Sequence, residues 1–308
     1  MRGMKRPYAL MWSGGKDSAL ALHRAQARGL EIARLVSYFD EATGRVRFHA
    51  TRVEMLRTQA GAARIELHAI ASSWPEMDRR LREELASLRE TGFAGVVMGD
   101  IHLADVRAWY EERIVNAGLE HVEPLWAEPP AALLREFVET GGRAIVTCVD
   151  TTRLDRSWLG RVIDRSFVDE IGLTDVDPCG ENGEYHSFVF ESPVFTSSVA
   201  WKAGDVRDDG RFVQLDVLPT TQDGNQNFRD DVALSRLVDP ETTLRNLAQN
   251  TGASYEDVVH HALVRYASSG AEALLAIEPW ALRQLIEARK AGDWEKVGAL
   301  IDWLEAGL

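Results

Sequence analysis

The chain has 308 residues, 45% hydrophobic and 27% charged, with a formal net charge of −13 at pH 7, a length and balance that predict two packed globular units. Two cysteines, Cys148 and Cys179, exclude a disulfide framework or an all-thiolate zinc site, and the acidic charge makes nucleic acid an unexpected partner. No run reaches the roughly 20 apolar residues of a membrane helix and the start lacks a signal-peptide apolar core, so no membrane association and a cytoplasmic location are expected.

In chain order, apolar runs at 8–11, 32–38, 65–69, 95–100 and 143–149 read as strands. Helical periodicity over 17–28, 52–63, 75–91, 106–117 and 130–140 fills the intervals. This alternation predicts an α/β fold: a doubly wound, Rossmann-like parallel sheet spanning residues 1–150. From Thr151 to Gly183 the pattern turns irregular, with short helical pieces around Trp158 and Phe167 and then a loop dense in Gly, Asp, Glu and Asn. Residues 187–190 and 210–217 read as antiparallel strands, with turn residues at Asp208, Asp209 and Gly210. A small α+β extension over 151–221 is the expectation. The polar stretch 222–231 reads as a linker, and 232–308 as a helical C-terminal domain.

The decisive local feature is Ser13, Gly14, Gly15, Lys16, Asp17 and Ser18, set between an apolar strand and an amphipathic helix. Glycines without Cβ let backbone N–H groups approach an anion, and the helix start adds unpaired N–H groups and the positive end of its dipole. Lys16 can neutralise phosphate oxygens while the Ser13 and Ser18 hydroxyls donate. The spacing is not that of the P-loop of common ATPases, so cleavage of the terminal phosphate is not implied. The string resembles the PP-loop of the ATP pyrophosphatases, which hold pyrophosphate here and release AMP. Asp17 either holds Mg²⁺ on the phosphates or favours the helix start through its dipole.

A second motif runs Asp177, Pro178, Cys179, Gly180, Glu181, Asn182, Gly183, Glu184, Tyr185, His186, Ser187. With the PP-loop and the strings Gly99-Asp100-Ile101 and Glu123-Pro124-Leu125-Trp126, it resembles the diphthine-ammonia ligase family over residues 8–195, about two-thirds of the chain. The resemblance implies ATP-dependent activation of a carboxylate and displacement of AMP by ammonia, giving an amide on a modified histidine of elongation factor 2. Asn182 and His186 depart from the family's Glu-Gly-Gly-Glu-Tyr-Glu-Thr pattern, as in a bacterial subgroup.

Glu181 and Glu184, three apart in a glycine-punctuated loop, are candidates to bind Mg²⁺, orient ammonia or act as base, with Glu184 alternatively capping backbone groups in a tight turn. Asn182, Tyr185 and His186 are candidate substrate contacts, His186 either handling a proton or making a fixed hydrogen bond. Both cysteines are read as packed residues. Gly99 and Asp100 stand at the carboxyl edge of the sheet, where open α/β folds place ligands, although Asp100 would equally serve as a helix cap. The family also tends to carry a histidine near His49. The superfamily plan implies adenine or ribose contact at Ser37 and Tyr38. Tyr110 and Arg113, one turn apart, either reach the substrate or form a packed helix face.

In the last region Leu244, Leu247, Val258, Val259, Leu263 and Tyr266 recur at helical spacing. From Asp230 onward, 7 Lys plus Arg stand against 13 Asp plus Glu, a net of −6 that is wrong for a DNA reader. Dimerisation, giving a homodimer, or substrate recruitment is the expectation there. The combined reading is an AMP-forming amide ligase using ATP and Mg²⁺ on a small-molecule or protein carboxylate and ammonia. Its rivals are a PP-loop tRNA-modifying enzyme and a non-catalytic nucleotide sensor.

Overall fold

The computed structural model describes residues 6–46 and 51–220. His49, the 222–231 linker and the 232–308 helical region lie outside the described residues. The described residues contain six α-helices and eleven strands in two sheets.

The first sheet is built from β1 (Tyr8–Met11), β2 (Ile32–Asp40), β3 (Arg45–Val46), β4 (Glu66–Ala71), β5 (Gly95–Val97) and β6 (Glu120–Val122). Strand β1 pairs in parallel with both β2 and β5, β2 with β4, and β5 with β6, while β3 folds back antiparallel on the end of β2. The parallel order β4-β2-β1-β5-β6 reverses between β1 and β5. Ligand sites of doubly wound sheets sit at such a reversal, beyond the carboxyl ends of the strands.

Helices cover both faces because successive side chains of a strand point to opposite sides. Leu10, Leu35 and Val97 pack with α1 (Lys16–Ala27) and α5 (Pro130–Glu139), through Leu20, Leu22, Leu133, Leu134 and Phe137. Their neighbours Ala9, Val36 and Val96 pack with α3 (Met77–Glu90) and α4 (Ala104–Asn116), through Leu81, Leu85, Leu88 and Ile114. Both clusters are fully desolvated at their centres, which is where the apolar free energy of folding is concentrated.

The predicted fifth strand is real but joins a different sheet. Strand β7 (Arg143–Asp150) pairs antiparallel with β8 (Val162–Ile163), β9 (Tyr185–Glu191) and β11 (Phe212–Pro219), and β11 with β10 (Trp201–Asp208). Its place in the parallel sheet is taken by β6, whose three residues are too few to show periodicity. Helix α2 (Val53–Ala63) carries Met55 into the second sheet's core, with Ile145, Phe188, Trp201 and Val217. The short helix α6 (Arg165–Ile171) is capped by Asp164, whose side chain accepts from the Phe167 N–H.

Candidate active site

The Gly-rich loop leaves β1 and enters α1 with Gly15 extended at the helix N-cap and Gly14 at φ +80°. A Cβ on Gly14 would stand 2.5 Å from Leu56 and 2.7 Å from the Gln59 amide oxygen, so only glycine fits. The Ser13 hydroxyl accepts from the Gly15 N–H at 3.3 Å and lies 3.3 Å from the Ser18 hydroxyl, which donates to the Gly15 carbonyl at 2.9 Å. Gly99 closes on the same turn: a Cβ there would lie 3.2 Å from the Ser18 nitrogen. The ends of β1 and β5 are thereby brought together at the strand-order reversal.

Lys16 is the hub. It is only 3% exposed, its ammonium donates to Asp17 Oδ2 at 2.9 Å and to the carbonyl of Cys179, and it lies 4.9 Å above the Tyr185 ring. The Lys16 backbone N–H donates to the Ser187 hydroxyl at 3.3 Å. Burial lowers its pKa, but the Asp17 charge, the charges of Tyr185 and Cys179 and the Asp17 bond together outweigh that and hold the ammonium well above the ordinary lysine range. One side chain therefore joins two motifs 163 residues apart.

Asp17 in turn stands within charge range of two further buried carboxyls, Asp100 and Glu181. Burial raises Asp100 to about 6, helped by the charges of Glu123 and Asp17, and leaves its Oδ2 without a partner among the described residues. Burial also pushes Glu181 up to about 7, with repulsion from Asp17 and Asp100 only partly offset by Lys16 and by the Ile101 N–H, which donates to Glu181 at 3.3 Å. Desolvation together with like charge is the combination that poises a carboxyl for proton transfer near neutrality. No group of three or more His, Cys, Asp or Glu suited to a metal ion occurs among the described residues.

Glu184 is placed differently from Glu181. It is fully buried, accepts from the Asn182 N–H at 3.0 Å and the Asp177 N–H at 3.3 Å, and meets the Asn182 amide at 3.3 Å and Arg153 at 3.4 Å. It organises the loop from within. Tyr185 is 1% exposed and donates its hydroxyl to the Pro178 carbonyl at 2.6 Å. His186 stands on β9 opposite Cys148 of β7. Both cysteines are buried thiols raised by that burial, Cys148 to about 12, in keeping with packed rather than nucleophilic residues.

The remaining expected residues stand on β2 and α4. Ser37 and Tyr38 are consecutive in β2 and thus face opposite sides: Tyr38 joins the α3 and α4 core. Both hydroxyls are buried without a partner among the described residues. Burial and the Asp100 charge push Tyr110 up to about 12. Arg113 pairs with Asp78 of α3, donates to the Trp109 carbonyl at 2.8 Å and stacks 4.0 Å from the Trp109 ring. Its place in the fold is the joint between α3 and α4.

Two residues had escaped notice. Gln59, with no exposed surface, accepts from the Trp12 indole at 3.0 Å and donates to the carbonyls of Gly14 at 3.0 Å and Val189 at 2.7 Å. A lone glutamine in a helix ordinarily reads as a solvated face; its neighbours Met55, Leu56 and Ala60 were the signal that this face is buried. His102 lies 2.6 Å from Asp177, and its place just beyond Gly99 and Asp100 was the available cue.

Residues 5–121 match the family Diphthamide synthase N-terminal domain and residues 129–209 the Diphthamide synthase C-terminal domain; 196–300 match a family of unknown function. The chain is 26% identical over 225 residues to human diphthine–ammonia ligase, covering 64% of this chain and 84% of that protein. It is 25% identical over 315 residues to the diphthine–ammonia ligase of Schizosaccharomyces pombe, covering 94% of this chain and 51% of that protein. A crystal structure from Methanocaldococcus jannaschii, described as a predicted subunit of tRNA methyltransferase, aligns with 60% of this chain at a TM-score of 0.33 and 13% identity.

Proposed function

We propose that this chain, which belongs to the diphthamide synthase family, is an ATP-dependent, AMP-forming amide ligase that activates a carboxylate and passes it to ammonia. The observation that carries the reading is the buried Lys16 ammonium, shared between the Gly-rich loop and the acidic loop. A cation fixed at a helix start beside a left-handed glycine is a seat for two linked phosphates. Activation is chemically required because a carboxylate has no good leaving group, whereas its mixed anhydride with AMP does.

In this reading Ser13, Gly14, Gly15 and Ser18 hold the phosphates, Lys16 neutralises them, and Asp17 would hold Mg²⁺, which supplies charge neutralisation on the phosphate oxygens. Glu181, raised to about 7, takes the proton that the attacking nitrogen sheds, and Asp100 orients that nitrogen. Glu184 keeps the acidic loop in shape through its backbone bonds rather than touching the reacting atoms. The burial that raises these carboxyls also limits water, which would otherwise intercept the activated acid.

Product analysis of ATP turnover with ammonium and a diphthine-containing peptide or a panel of simple carboxylic acids tests this. AMP plus pyrophosphate is expected from the wild type and loss of both from Lys16→Ala; ADP plus phosphate would refute the mechanism. The sensor alternative predicts nucleotide binding with no turnover.

A further inference from the structure

The two segments that carry the candidate reacting carboxyls are fastened to each other at two points. The turn after β5 bears Asp100, Ile101 and His102, and the acidic loop bears Asp177 and Glu181. The inner fastening is the Ile101 N–H to Glu181 Oε1 at 3.3 Å; the outer is His102 Nε2 to Asp177 Oδ2 at 2.6 Å. Asp177 is itself fixed. Its other oxygen accepts from the Cys179 N–H at 2.7 Å, and its own N–H donates to Glu184 at 3.3 Å. The Asp177 side chain is 8% exposed, against 35% for His102, so the histidine closes the fastening from outside.

We propose that His102 is a positioning residue, which by holding Asp177 clamps the acidic loop to the β5–α4 turn and so sets where the Glu181 carboxyl stands relative to Lys16 and Asp17. The inference rests on the reading of Glu181 as the group that moves the proton. The inner bond is long for an N–H···O bond and works against the charges of Asp17 and Asp100, which repel Glu181. Without the outer bond, that weak contact would be the only hydrogen bond among the described residues fastening this turn to the acidic loop. The charged groups acting on His102 are Asp177 and Glu181. The Asp177 bond, then the two charges, outweigh burial and raise the imidazole pKa, which favours a charge-assisted bond.

The geometry can be tested because Gln and Asn differ in reach. His102→Gln sets an amide N–H near the position of Nε2, His102→Asn falls short of it, and His102→Ala has no donor. With the full chain, ammonium chloride and a diphthine-containing peptide, AMP formation should fall about tenfold in kcat for Ala and Asn and stay within about twofold for Gln, the KM for ATP being unchanged throughout. Hydrogen exchange at the Ile101 amide should quicken in Ala and Asn but not in Gln. Unchanged exchange in His102→Ala, or a Gln variant no better than Ala, overturns the proposal. A wild type that forms no AMP would sink the ligase reading alone, and the exchange series would still decide whether His102 clamps the loop.

Discussion

Replacing Gln59 by Leu, of similar size, removes every polar function of the side chain that ties the Gly-rich loop to α2 and β9. The Trp12 indole N–H, inside the core, loses its acceptor, and a stranded buried donor costs about 1–3 kcal/mol. The Gly14 carbonyl keeps the Val189 N–H at 2.9 Å, so that loss and the loss at Val189 are ordinary ones of about 0.5–1.5 kcal/mol each. The total is about 4 kcal/mol, which for a unit of this size lowers the melting temperature by roughly 8–16 °C. Gln59→Glu should cost more, since it turns a carboxyl oxygen toward two carbonyls. Thermal denaturation followed by tryptophan fluorescence gives the stability, and the KM for ATP reports the loop: it should rise, because the Gly14 peptide loses a tether. A Gln59→Leu protein within about 0.5 kcal/mol of wild type and with an unchanged KM would show that the amide neither supports the core nor shapes the loop.

Other expectations follow from the same geometry. Gly99→Ala pushes a Cβ against the first turn of α1, and should raise the KM for ATP with a stability loss of about 1–2 kcal/mol; an unaltered KM would mean the two strand ends need not touch. Arg113→Ala should lower the denaturation midpoint while leaving kcat intact, because its partners are Asp78 and Trp109; a collapse of kcat would restore it to the site. Asp100→Asn should be more stable than wild type at pH 8 and equal to it below pH 4: a carboxyl raised to about 6 contributes stability that is complete below its unfolded pKa and lost as pH rises through the folded one. Asp216→Asn has the opposite sign. Burial opposes ionisation there, but bonds from Arg52 and Arg45 hold the carboxyl well below the usual range, so the substitution should cost about 3 kcal/mol at neutral pH and nothing in strong acid, as urea titrations at the two pH values would show.

The parallel sheet was legible because its strands are apolar runs bounded by amphipathic helices, and the Gly-rich loop because a strand-to-helix turn with that string has few uses. Strand β7 looks in sequence like one more buried parallel strand, Arg143 aside, since a strand covered on both faces is apolar whichever sheet it joins. Only the partners β9 and β11, which lie beyond it in the chain, decide its sheet. Strand β10 was hidden for another reason: Lys202, Ala203, Asp205, Arg207 and Asp208 are exposed, so it shows little apolar alternation. Of the acidic loop, the residue types pointed to chemistry but could not rank its members. Glu181 and Glu184 differ in what surrounds them, a property of the folded chain.

That difference also explains why the loop holds the acids as it does. A carboxyl that accepts backbone N–H groups, as Glu184 does, is committed to shape; a carboxyl pressed among like charges, as Glu181 is, resists ionisation and can trade a proton near neutrality. The second needs the first, because a loop free to relax would separate Glu181 from Asp17 and Asp100 and let its pKa fall toward the usual carboxylate range. The Lys16 ammonium on the Cys179 carbonyl is the third constraint, tying that loop to the Gly-rich turn. Glu184→Gln should therefore keep most of the fold, since the amide oxygen still accepts, yet lower the acid-side pKa of the pH–rate profile by loosening the loop. An acid limb that stayed in place while kcat fell would instead assign Glu184 a direct part in the reaction.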